Sequence, residues 1–304
     1  MVSRRGAVLS AGLLLGRRGS FGKASQPRTM VDFVVPKGAC DCHTHVFGDV
    51  KNFPMWSGRS YTPPSAVPRE MGALHRTLRV ERVVIVTPSV YGTDNAATLY
   101  GLKARRGTSR GVAVIDERTP DAELKSMGAL GVCGIRVNVP RGLRPLLEKA
   151  FDRVSGLGWH VQVFSSLSEV AGVEDLVMSA PVPVVIDHVA GAKPDLGVGQ
   201  EGFDALLRMM RAGKIYVKVT NRFMPSGKLE ASGLMVRELI AANAERVLWG
   251  TDWPHPDNRS YPGRKPTDVS PFEDVDDGVW LNQFAKWGGD SRMLVENPAR
   301  LYKF

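Results

Sequence analysis

Eight short apolar runs rich in β-branched residues, separated by segments of helical spacing, limit what this chain can fold into more than any other feature. They are Ala39 to Cys42, Glu81 to Thr87, Gly111 to Asp116, Gly134 to Val139, Trp159 to Phe164, Val182 to Asp187, Lys214 to Thr220 and Arg246 to Thr251. Val83-Val84-Ile85-Val86 and Val182-Pro183-Val184-Val185-Ile186 are continuous rather than alternating, the pattern of parallel strands buried on both faces. Between the runs, Asp121 to Leu130, Leu143 to Leu157, Phe203 to Arg211 and Leu229 to Ala242 have the spacing of amphipathic helices. Eight strands alternating with helices predict an α/β chain folded as a (β/α)8 TIM barrel of parallel strands. A doubly wound sheet is the competitor. No G-x-G-x-x-G follows the first strand and no G-x-x-x-x-G-K-[ST] loop occurs, so dinucleotide and phosphate-loop readings lose their main support.

Composition narrows the function classes. The chain has 304 residues and a formal charge of +9, which at first suggests a nucleic-acid partner. Six of the basic residues, Arg4, Arg5, Arg17, Arg18, Lys23 and Arg28, lie in residues 1–30, which hold no acidic residue; the rest of the chain carries only +3. A phosphate-binding patch belongs on the folded body, so no nucleic-acid partner is expected. No apolar stretch is long enough for an integral membrane segment. Three cysteines, Cys40, Cys42 and Cys133, suggest neither a disulfide framework nor a Cys-rich metal site.

Residues 1–30 are set apart from a single domain over 31–304. Ser3-Arg4-Arg5 followed by the uncharged run Gly6 to Gly16 resembles a twin-arginine export signal, which implies a periplasmic protein. The alternative is a gene-model extension, with translation starting at Met30 and a cytoplasmic product.

In a barrel the C-terminal strand ends converge on one mouth, whatever their separation in sequence. Those ends hold Asp41-Cys42-His43-Thr44-His45, Gly134-Ile135-Arg136-Val137-Asn138, Ile186-Asp187-His188, Lys218-Val219-Thr220-Asn221-Arg222 and Trp249-Gly250-Thr251-Asp252-Trp253. His43 and His45, two apart on a strand, point to one side. With His188 and Asp252 they form a candidate catalytic cluster. His75, in a helix, and His160, early in a strand, read as structural, while His255 could line the mouth. Arg136, Arg141 (or Arg144) and Arg222 suit bidentate capture of carboxylate or sulfonate, and Tyr61, Thr87 and Ser89 could donate hydrogen bonds to the same ligand.

Cys40 to Gly48, Arg59 to Pro63, Val185 to His188, Leu248 to His255 and Asn297 to Tyr302 together resemble the amidohydrolase superfamily, and within it the branch of 2-pyrone-4,6-dicarboxylate lactonase. The superfamily usually binds divalent metal through the H-x-H pair, a strand-four lysine or glutamate, histidines on strands five and six, and the strand-eight aspartate. Here strand four offers Arg136, which cannot ligate a metal, and strand five offers Gln162 and Phe164 instead of a histidine. The resemblance therefore implies a site without a metal cofactor. One divalent ion such as zinc on His43, His45, His188 and Asp252 is the alternative.

The function expected is hydrolysis of a small anionic lactone. Asp252 acts as general base on water, His43, His45 and His188 stabilise the oxyanion, and Arg136, Arg141 and Arg222 hold acidic groups. The lactonase branch has a substrate-contacting tyrosine where this chain has Phe164, which favours a relative of the pyrone dicarboxylate. A metal-dependent decarboxylase or hydrolase and a sugar-acid lactone isomerase are the competing activities.

Overall fold

The computed structural model describes residues 23–139, 141–223, 229–259 and 261–304; the twin-arginine reading rests on residues before these. All eight expected strands form: β1 (Cys40–Thr44), β2 (Arg82–Val86), β3 (Ser109–Ala113), β4 (Val132–Asn138), β5 (His160–Phe164), β6 (Val184–Ile186), β7 (Ile215–Thr220) and β8 (Val247–Gly250). They pair in parallel in sequence order. Helices α1 (Pro68–Leu78), α2 (Ala96–Ala104), α3 (Asp121–Ala129), α4 (Leu143–Val154), α5 (Leu167–Ala171), α6 (Glu174–Met178), α7 (Phe203–Arg211), α8 (Leu229–Asn243), α9 (Asp277–Lys286) and α10 (Asn297–Tyr302) complete a (β/α)8 barrel. Among the described residues no helix is long and apolar enough to cross a membrane.

Alternation along the strands sorts the side chains into two apolar layers. Val83 and Ile85 of β2 join the large cluster between strands and helices, while Val84 and Val86 join a smaller one inside the ring. Leu301 and Tyr302 of α10 pack into that inner cluster. On β7, Tyr216 belongs to the inner cluster, so Lys218 and Thr220 on the same face stand progressively nearer the mouth. Cys40 and Cys42 are buried free thiols, Cys40 and Cys42 both within this inner set.

The ring closes between β1 and the residues just past β8. The Asp252 amide donates to the His43 carbonyl (2.9 Å) and the His45 amide to the Trp253 carbonyl (2.8 Å). Deeper in the seam the Asp41 carboxylate accepts from the Thr251 amide (2.9 Å) and hydroxyl (2.6 Å). The strands approach closely here: a Cβ on Gly250 would lie 2.9 Å from the His43 nitrogen. The Trp280 indole of α9 donates to the Gly250 carbonyl (2.8 Å), fixing the strand end from outside.

The folded body begins before residue 31. Ala24 is buried, the Trp253 indole donates to the Ser25 carbonyl (3.1 Å), and the Thr29 hydroxyl donates to Asp276 (2.8 Å).

Candidate active site

At the mouth, β1 and its extension bring His43 and His45 against Asp252. His43 Nε2 lies 3.5 Å and His45 Nε2 3.4 Å from Asp252 Oδ1. The His45 ring is held by its other nitrogen, Nδ1, which donates to the Val86 carbonyl at 2.8 Å. His188 joins them from the end of β6, its ring centroid 4.6 Å from that of His43 and its Nδ1 2.7 Å from the Thr220 hydroxyl. His188 (φ 50°) and Asp252 (φ 63°) both adopt left-handed backbone, as do Val189 and Ala190. Such conformations cost L-residues roughly 1–2 kcal/mol each, and tertiary contacts at the mouth hold them there.

Below the histidines lies a buried charge network centred on Asp187. Its Oδ2 accepts from Arg136 Nε and Gln162 Nε2, each at 2.9 Å, and its Oδ1 lies 3.2 Å from His43 Nδ1 and 3.6 Å from Lys218 Nζ. Lys218 also donates to Gln162 Oε1 at 2.6 Å and stands 3.3 Å from His43 Nδ1. The network follows from register: Arg136 on β4 pairs with Gln162 on β5. Arg136, Gln162 and Lys218 thus each donate a hydrogen bond within this layer, which offsets the cost of burying their polar groups.

Burial dictates the protonation states, and the charge network modifies them. Burial, reinforced by Lys218, pushes His43 down to about 3, so its ring is neutral. Burial likewise holds His188 well below its ordinary value. Burial opposes ionisation of Asp252, but His188, the close His45 ring and Arg222 outweigh it and leave the carboxyl well below the usual range. Asp187 behaves alike: burial raises it, and His43, Lys218 and Arg136 together hold it well below. Burial carries the Tyr61 phenol up to about 12, so it is a hydroxyl donor.

Tyr61, Ser89, Arg136, Arg222, His45, His188 and Asp252 share the wall of one cavity. Arg222 Nη1 lies 3.4 Å from Asp252 Oδ2, and its Nη2 pairs with Asn258. The space left between these side chains is about 20 Å³, room for one water. Thr87 and Arg141 do not line this cavity. The Thr87 hydroxyl is committed to Asn95 and Thr98, each at 2.8 Å, and Arg141 is exposed on the loop after β4. Arg144, in the first turn of α4, pairs with Asp175. His255 turns away to Asp277 (2.9 Å), bracing the loop after β8. His75 bonds Asp41, while the His160 ring packs edge-on against Tyr302, with 5.3 Å between centroids.

Asp187 and Lys218, with Gln162 behind them, orient His43 and stand outside the residues expected at the site from sequence. A lysine inside the apolar run Ile215 to Thr220 was the available signal, since a charge buried in a strand demands partners. Asn258 came with no signal at all, because only the loop's path brings it to Arg222.

His43 Nε2, His45 Nε2 and Asp252 Oδ1 lie within 4.8 Å of one another, and His43 Nε2 and Asp252 Oδ1 are buried without hydrogen-bond partners. By geometry they fit one small divalent ion, which would act as a Lewis acid on a carbonyl oxygen.

A parallel barrel with an H-x-H pair and a strand-eight aspartate at its mouth defines an amidohydrolase-type enzyme. The amidohydrolase family profile matches residues 40–304, and the chain belongs to that family. It is 31% identical over 287 residues to a 2-pyrone-4,6-dicarboxylate hydrolase of Comamonas testosteroni, with 89% of this chain and 92% of the relative covered. It is also 31% identical over 289 residues to a 4-sulfomuconolactone hydrolase of Rhizobium radiobacter, covering 90% and 92%. A solved structure from Pseudomonas putida, named for 2-pyrone-4,6-dicarboxylic acid hydrolysis, superposes with a TM-score of 0.70 at 29% identity, covering 88% of this chain and 98% of the other.

Proposed function

We propose that the protein is a lactonase that opens a small lactone bearing a carboxylate or sulfonate, with Asp252 as general base and no required metal. The observation that carries this reading is the position of the buried Asp252 carboxylate, 3.4 Å from His45 Nε2 on one oxygen and 3.4 Å from Arg222 Nη1 on the other. In the free enzyme Arg222 pairs with Asp252 Oδ2 and fills the cavity. An acidic substrate group offers Arg222 a better-exposed partner, which draws the guanidinium off Asp252 and makes room for the ring. Asp252 then takes a proton from water as the hydroxide attacks the lactone carbonyl. His43, His45 and His188 surround the developing oxyanion. Collapse breaks the ring C–O bond, and the proton on Asp252 passes to the departing oxygen. The products are a hydroxy acid, or its keto tautomer, and the free base.

Arg136 over the Phe164 ring (4.8 Å) and beneath the mouth supplies a second positive wall. Phe164 itself brings no hydroxyl, so this wall is apolar at its edge, which favours an acidic lactone with a less polar face over the pyrone dicarboxylate of the Comamonas relative.

Charge argues for metal independence. Arg136, Lys218 and Arg222 already outnumber Asp187 and Asp252 around the histidines. Two unit charges 4 Å apart repel by about 4 kcal/mol at an effective dielectric constant of 20, so a divalent ion would enter against these cations. Turnover of a panel of acidic lactones by chelator-treated protein, with metal content measured on the same sample, tests the reading. Activity at substoichiometric metal supports it, and activity restored only by zinc or manganese would replace it with the metal-dependent alternative.

A further inference from the structure

On the outer surface of the barrel, α1 and α2 flank an open cavity of about 520 Å³. Its lining includes Arg69, His75 and Arg76 from α1, Tyr100 from α2 and Arg105 just beyond it, and no carboxylate. Gly72 leaves one turn of α1 bare: a Cβ there would lie 3.5 Å from Arg76 Nη1 and 3.7 Å from Arg105 Nη1. The two guanidinium groups therefore rest side by side over that turn. Burial lowers the pKa of Arg105, and the neighbouring Arg76 charge lowers it further. Among the described residues neither Arg69 nor Arg76 pairs with a carboxylate. Like charges gathered without a counterion are an electrostatic cost that an anion in the cavity would remove.

The inner wall of the cavity is wired to the catalytic seam. Arg105 Nη1 is 3.1 Å from His75 Nδ1 and can only donate, so His75 accepts there and carries its hydrogen on Nε2. That Nε2–H donates to Asp41 Oδ2 at 3.1 Å. Asp41 in turn accepts from the Thr251 amide (2.9 Å), the Thr251 hydroxyl (2.6 Å) and the His43 amide (3.2 Å). His43 and Asp252 hang from this seam.

We propose that the cavity between α1 and α2 binds a compact multivalent oxyanion through Arg69, Arg76 and Arg105, and that its occupation is felt at the seam through Arg105, His75 and Asp41. An anion that engages Arg105 competes with His75 for its donors. His75 is then free to shift its hydrogen bond to Asp41, and Asp41 sets the position of the His43 and Thr251 amides. The coupling half of the proposal rests on the lactonase reading; the binding half does not.

Inorganic phosphate is the probe, and Arg222→Ala protein, which lacks the more exposed of the two mouth arginines, is used so that calorimetry reads chiefly the outer cavity. Saturable binding of one equivalent is expected, and it disappears when Arg69→Ala and Arg76→Ala are added; both side chains are exposed, and an unchanged unfolding temperature without phosphate confirms the fold. In the otherwise wild-type enzyme at saturating lactone, phosphate should change kcat by about twofold or more, an effect that Arg76→Ala abolishes. Competition at the mouth instead raises KM and persists in Arg76→Ala. No saturable binding, or binding that survives loss of both arginines, overturns the site. Binding with an unchanged kcat overturns the coupling, and a protein that binds phosphate but opens no lactone counts against the lactonase reading alone.

Discussion

Asp252 and His43 are joined twice. The Asp252 amide donates to the His43 carbonyl at 2.9 Å, and the Asp252 carboxylate lies 3.5 Å from His43 Nε2. One of the two backbone hydrogen bonds that close the barrel and a contact that shapes the site therefore belong to the same pair. The geometry of the proposed site is thus tied to backbone pairing at the seam.

Gly250 tests that dependence. An alanine there places a methyl 2.9 Å from the His43 nitrogen and 3.0 Å from its Cβ, with backbone as the obstacle. Overpacking of this kind costs about 1–3 kcal/mol. Gly250→Ala should lower the unfolding temperature and reduce kcat together, because the displaced strand carries His43. Loss of stability with unchanged kcat would show that the seam does not position the histidine.

Asp187 holds the buried layer together. Asp187→Asn leaves Arg136 and Lys218 without their shared carboxylate, and breaking a buried ion pair by removing one partner costs about 3–5 kcal/mol. Denaturant unfolding should show a loss of that order. A loss under about 1 kcal/mol would mean that water reaches this layer and screens the charges.

Arg222 is 29% exposed at the mouth, where it can exchange Asp252 for an incoming anion. Arg222→Ala should raise KM about 10- to 100-fold for an acidic lactone, the loss expected for a charge-assisted hydrogen bond. A neutral lactone should show little change in KM. Equal effects on both would remove anion capture from the role of this residue.

The pH dependence has a definite sign. Asp252 and Asp187 are held well below the ordinary aspartate value of 3.8, so each contributes stability that is complete above that value and is lost only as pH falls through the lower folded value. The acid limb of kcat/KM should accordingly lie below pH 3.8, read at pH values where the fold is shown to persist. An acid limb near pH 6, with the fold intact, would assign the essential ionisation to a histidine instead.

Much of this was legible in the residues. Continuous Val/Ile runs specify strands buried on both sides, and all eight strands appear, because in a closed parallel ring burial and pattern agree. The boundaries moved where a turn intervened: β6 stops at Ile186, since Asp187 to Gly191 form a tight turn with left-handed residues, and β1 runs on to Thr44 so that His43 is still in the strand. The mouth residues His43, His45, His188, Asp252, Arg136, Arg222, Tyr61 and Ser89 do meet, because strand ends must converge. Thr87 and Arg141 share those strand ends in sequence but not the cavity, since a side chain's partners depend on its neighbours in space. Thr87 meets Asn95 and Thr98, and nothing in its own segment announces them.

The central claim is that Asp252 takes the proton from water, and its most direct test is turnover of an acidic lactone by Asp252→Asn, with circular dichroism and unfolding temperature as controls. General-base catalysis contributes about 10²- to 10⁴-fold, so kcat should fall by that factor while the fold is retained and KM changes little. Near wild-type kcat in the folded variant would contradict the account.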